Sequence, residues 1–116
     1  MALVIVDKNI TKEDIESSRE DYPEYIKITA DLEQEIVILG GEYHADAEKI
    51  LVEKFGSKRS NIWGGGYNLT SNTFEVNAIL NLKPATNDSL EILEPKTRNQ
   101  FLEVVKSKLG NIQSLL

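Results

Sequence analysis

Within seven residues the chain places Glu42, His44, Asp46 and Glu48, and His44 is the only histidine in 116 residues. If the segment is helical, His44 and Glu48 stand one turn apart on one face, with Glu42 or Asp46 able to approach the same point from the helix start. Three carboxylates and one imidazole would suit a hard ion such as Mg²⁺ or Mn²⁺, with Glu42, His44, Asp46 and Glu48 as ligand candidates. A structural zinc site would call for more cysteine or histidine. The same residues offer a second chemistry, in which Glu48 or Asp46 orients His44 as the general base of a hydrolase. The plain alternative is a surface helix start whose acids complement the helix dipole and whose histidine pairs with Glu48, titrating near its ordinary value of about 6.5. That alternative is preferred, because such pairs are common on helices.

Glycines and aromatics frame this cluster. Six of the seven glycines fall between Gly40 and Tyr67, in GGEYHADAEKILVEKFGSKRSNIWGGGY. Gly40 and Gly41 form a strand-to-helix turn of the kind whose free amides can hold an anion. The neighbouring Glu42, Asp46 and Glu48 would repel one, and neither phosphate-binding glycine signature is present. The run Gly64-Gly65-Gly66 marks a close approach by backbone or ligand, so Gly40, Gly41, Trp63, Gly65 and Tyr67 are candidates for lining a groove. Lys54, Lys58 and Arg59 precede Trp63 and Tyr67, the mixture of base and aromatic that single-stranded nucleic-acid binders use. On one strand face Trp63, Gly65, Tyr67 and Leu69 suit a core better.

The elements that must position these residues follow from periodicity. Ala2 to Val6 reads as a short buried strand ending at the turn Asp7-Lys8-Asn9. Thr11 and Asp14 make a capping-box pattern for a helix that ends near Asp21, because Pro23 disfavours helical geometry at Tyr22. From Tyr25 the period is two, with Ile26, Ile28, Ala30 and Leu32 inward, and Ile36 to Leu39 completes a hairpin. Tyr43, Ala47, Ile50, Leu51 and Phe55 recur at helical spacing, with Gly56 as a left-handed stop. A second hairpin is predicted over 61–69 and 73–83, with Val76, Ala78, Leu80 and Leu82 inward and a turn at 70–72. A last helix opens at Pro95, buries Phe101, Leu102, Val105 and Leu109, and stops at Gly110. The order β-α-β-β-α-β-β-α predicts one α+β domain over 1–116, an antiparallel or mixed sheet of about five strands with its helices on one face.

Composition narrows the function. There is no cysteine, which excludes disulfides and thiolate metal sites and suits a cytoplasmic protein. No apolar run is long enough to span a bilayer, and Met1 to Val6 lacks a basic leader, so no membrane association is expected. The net charge is −6 and uneven: residues 1–48 carry 13 acids and 4 bases, residues 49–116 carry 6 acids and 9 bases. An acidic front half opposes polyanions, so nucleic-acid binding is not expected.

GGEYHADAE, then a helix, GS and NIWG, resembles a family of small prokaryotic proteins of unknown function whose pattern reads GGELHADAE, GS and LWG. Tyr43 stands where that pattern has leucine, and Gly65-Gly66 replace bulkier residues. The resemblance implies a recurring stand-alone domain and no chemistry. The sequence therefore favours a binding or regulatory module for a protein or small-molecule partner, requiring no cofactor, over a metal- or histidine-assisted hydrolase.

Overall fold

The computed structural model describes residues 3–6 and 10–115. The described elements are β1 (Leu3–Val6), α1 (Lys12–Ser18), β2 (Tyr25–Asp31), β3 (Ile36–Gly40), α2 (His44–Phe55), β4 (Ile62–Asn68), β5 (Thr73–Glu75) and α3 (Pro95–Leu109), with short 3₁₀ turns at 59–61, 79–81 and 112–115. The order of strands and helices is the one predicted. Ala2 and the turn Asp7-Lys8-Asn9 lie outside the described residues.

All pairings in the five-stranded sheet are antiparallel, and the strands lie in the order β1-β3-β2-β4-β5. That order corrects the expectation of helices on one face. The crossovers β1-α1-β2 and β3-α2-β4 each step over one strand in the same direction across the sheet, yet β1 and β2 run opposite to β3 and β4. Two crossovers of one hand must then pass on opposite faces, and crossover hand is nearly invariant. Accordingly Ile15 of α1 and Phe101, Val105 and Leu109 of α3 join Ile26, Ile28, Val37, Trp63 and Tyr67 in one core. Ala47 and Leu51 of α2 join Ile38 and Ile62 on the other face.

Because both faces are covered, β2 is buried beyond its apolar alternation, and Thr29 and Asp31 are inside too. Asp31 also builds the β2–β3 turn. Its carboxylate accepts from the Glu33 and Gln34 amides at 2.9 and 3.1 Å and Glu35 takes a left-handed φ of 57°, which replaces the Asn-Gly chemistry the turn lacks. β1 differs from a buried strand: it is a sheet edge, and Ile5 is exposed.

Both halves of the Thr11–Asp14 capping box are formed, and α1 ends at Ser18, one turn before the expected end. Gly56 stops α2 at φ 65°, as read. In α3, Pro95 sits in the first turn and Gly110 at the C-cap. Val104 is buried where Leu102 had been expected, and Leu102 is only partly covered. The second hairpin is shorter than predicted, since β5 stops at Glu75. Beyond it Val76 and Ala78 point inward, Leu80 is half-buried and Leu82 is exposed. The cause is Asn81. Wholly buried, it accepts from the Gly64 amide at 2.8 Å and donates to the carbonyls of Gly64 and Leu90 at 2.9 and 3.0 Å. A strand alternating through residue 83 would leave that amide outside. Asn87 organises the following loop by donating to the carbonyls of Asn81, Ser89 and Glu91 at 2.9, 3.0 and 2.7 Å.

Candidate functional site

The glycine run of β4 and the start of α2 meet on the α2 face of the sheet. Tyr43 is the N-cap and offers no capping side chain. His44, the first helical residue, reaches down to the backbone of β4, where its Nε2 lies 2.7 Å from the Gly65 carbonyl. A carbonyl only accepts, so Nε2 carries the hydrogen and Nδ1 holds the free lone pair. Burial pushes the imidazole down to about 4, with nearby Lys27 adding to the effect and the Gly65 hydrogen bond opposing it. His44 is thus neutral at physiological pH. This corrects the reading of His44 as a surface residue paired with Glu48 and titrating near its ordinary value.

The other members of the predicted cluster go elsewhere. Glu48 faces Arg59 at 3.7 Å. Glu42 is exposed, and its carbonyl accepts from the Tyr22 hydroxyl at 3.1 Å. Asp46 is part of the first turn of α2. Among the described residues, no three His, Asp or Glu side chains converge as a metal-binding group.

The groove candidates are largely taken up by packing. Gly40 and Gly41, at φ 89° and 91°, turn the chain from β3 into α2, and a Cβ on Gly41 would lie 2.6 Å from the Leu3 side chain. Trp63 and Tyr67 belong to the α3-side core, as preferred, with Lys83 Nζ 4.8 Å over the Trp63 ring. Tyr67 also borders a small surface hollow beside Phe74 and Lys106. Gly65 leaves room for the Phe101 ring, which would lie 3.0 Å from a Cβ there.

A cleft of about 560 Å³ lies beside these positions. β2 contributes Tyr25 and Lys27. The start of α2 contributes Tyr43, His44, Ala45 and Glu48, and the chain after β5 contributes Asn77 to Leu80, with Leu90 across from them. Of the site candidates read from the sequence, His44 and Glu48 line it. Tyr43, Ile79 and Leu90 remain 61%, 78% and 46% exposed at its margin, a grouping of large apolar side chains that a surface rarely leaves uncovered without use. Tyr43, expected to join the buried stripe of α2, stands outside it because it caps the helix. Lys27 Nζ lies 4.7 Å over the Tyr22 ring and 5.7 Å from that of Tyr25. Burial lowers the Lys27 ammonium below its usual value. Burial and the nearby Glu75 push the Tyr25 phenol up to about 12, so it stays protonated.

His44 and Glu48 were the sequence's signals for this cleft, and Lys27 joins them from the face of β2 opposite Ile26 and Ile28. The contribution of Ile79, Leu80 and Leu90 depends on Asn81 and Asn87 folding their segment, which no local period reveals.

The chain matches the model of a family described as proteins of unknown function (DUF5674) over residues 4–108, and it belongs to that family. No curated protein and no solved structure matches it. Among the described residues no helix is long and apolar enough to cross a membrane.

Proposed function

We propose that this member of the DUF5674 family is a binding or regulatory module whose ligand site is the cleft between the start of α2 and the segment 77–80. The observation that carries this reading is the cleft's make-up: exposed Tyr43, Ile79 and Leu90 surround a few polar groups on rigid elements. Small-molecule sites are generally built in this way. A cytoplasmic setting belongs to the same reading and is supported by a sequence without cysteine.

The hydrolase reading has less support. His44 spends Nε2 on a backbone carbonyl, has no carboxylate within ion-pair distance among the described residues, and is a weak base at about 4.

The test is an amide-resolved NMR screen with small compounds spanning cationic, neutral and anionic head groups and apolar bodies. Binders are expected to shift Tyr43 to Ala45 together with Ala78 to Leu80. If the compounds that bind all map to other surfaces, the cleft is not the site.

A further inference from the structure

Lys27 is the one cation that lines the cleft, and among the described residues no carboxylate lies within ion-pair distance of it. Among the described residues the sole carboxylate–cation pair is Glu48 with Arg59, which occupies the acid that also lines the cleft. Glu75 is paired opposite Gly66 as Lys27 is, but its carboxylate accepts from the Asn68 side chain at 3.3 Å and, among the described residues, forms no ion pair with Lys27; His44 brings no charge. The rings of Tyr22 and Tyr25 hold the ammonium in place but accept none of its hydrogen bonds in the way an oxygen does. A partly desolvated ammonium without a paired carboxylate favours an incoming oxygen anion.

The apolar margin lies in the same cleft. Tyr43, Ile79, Leu80 and Leu90 present aliphatic and aromatic surface. The start of α2, which no side chain caps, opens onto it through His44 and Ala45. One unpaired cation matches one negative charge. A phosphate dianion would call for several cations or a glycine-rich cradle.

Resting on the binding-module reading, we propose that the cleft takes a small-molecule monocarboxylate with an apolar body, its carboxylate on Lys27 Nζ and its body along Tyr43, Ile79, Leu80 and Leu90. The neutral His44, with Nδ1 as an acceptor, tolerates a hydroxyl or amide donor next to the carboxylate and adds no competing charge.

Three probes of one chain length test this at neutral pH: octanoate, octanamide and octylamine, each followed by amide NMR on the wild-type protein and on Lys27→Met. Octanoate is expected to shift His44, Ala45 and Ile79 and to bind about tenfold more tightly than octanamide, with octylamine weakest. Lys27→Met should bring octanoate down to the level of octanamide and leave octanamide unchanged, with the remaining amide spectrum reporting that the fold is intact. Equal binding of octanoate and octanamide in the wild type, or octanoate binding untouched by Lys27→Met, would overturn the carboxylate assignment while leaving a ligand cleft standing. If none of the three moves a cleft amide at millimolar concentration, the carboxylate proposal falls together with the cleft as a site for such ligands.

Discussion

Acidification from pH 7 to pH 5 should destabilise this domain through His44. In the folded state burial holds its imidazole at about 4, whereas in the unfolded chain it returns to about 6.5. The unfolded state therefore takes up a proton in the window between those values that the folded state refuses. The stability that His44 contributes is complete above about 6.5 and falls as the pH drops towards about 4, below which both states are protonated and this loss stops. At about 1.4 kcal/mol per pH unit the whole window is worth about 3 kcal/mol, and the part between pH 7 and pH 5 about 2 kcal/mol. The choice of pH 5 also keeps Asp31 out of the measurement. Burial works to raise the Asp31 carboxyl, but hydrogen bonds from Ser57, Gln34 and Glu33 outweigh it and hold the group below its ordinary 3.8, so its contribution is lost only at lower pH. Urea unfolding at pH 7, 6 and 5 would be compared between the wild type and His44→Gln, whose amide can still donate to the Gly65 carbonyl but cannot titrate. The wild type should lose about 2 kcal/mol more than the variant over that range. Since the chain has one histidine, its ring resonances can be followed directly against pH. Parallel stability curves for the two proteins, or a ring titration centred near 6.5, would refute the buried placement.

Three further expectations rest on packing. Leu51→Ala should lower stability by about 2–5 kcal/mol, read from the denaturation midpoint, because Leu51 is wholly buried between α2 and the sheet. Asn81→Ala should cost about 3 kcal/mol or more, since it strands the Gly64 amide and the carbonyls of Gly64 and Leu90, and hydrogen exchange at the Gly64 amide should speed up with it. Gly65→Ala should destabilise by about 2–3 kcal/mol, because the added methyl meets the Phe101 ring and the Glu75 carbonyl. The control is Gly56→Ala, where nothing lies near the new methyl and only the left-handed φ of 65° is strained, so its cost in the same unfolding assay should be about 1 kcal/mol.

Much of the fold was legible because apolar spacing is a local record of a tertiary fact. β2, α2 and α3 bury apolar positions at the period their sequences show, and β3 buries the unbroken apolar run of its sequence. What was not legible depends on contacts between distant segments. Strand order decides that α2 lies across the sheet from α1 and α3, and nothing in the run Tyr43 to Phe55 states which face it meets. Asn81 reads as a polar break in a strand, yet it is the residue that ends the strand by pairing with backbone 17 positions away. His44 was visible as a residue of interest but its partner was not. A backbone carbonyl 21 residues on has no residue-type signature, so the nearby carboxylates drew the assignment instead.

The glycine run explains why the cleft has the shape it has. Three consecutive glycines in a strand weaken it, and here each missing side chain is replaced by a neighbour's. A Cβ on Gly64 would lie 2.9 Å from His44 Cδ2, one on Gly65 would meet Phe101, and one on Gly66 would run into the Tyr25 ring. Two of those neighbours, His44 and Tyr25, line the cleft. Bare backbone at Gly64 and Gly66 therefore lets both rings approach β4 closely, beside Lys27, which is paired opposite Gly66 and lines the cleft. Larger residues at these two positions would lift the rings into the cleft. The feature that stood out in the sequence as a place for a ligand to approach backbone is occupied by the protein's own side chains, and the cleft lies one layer above it.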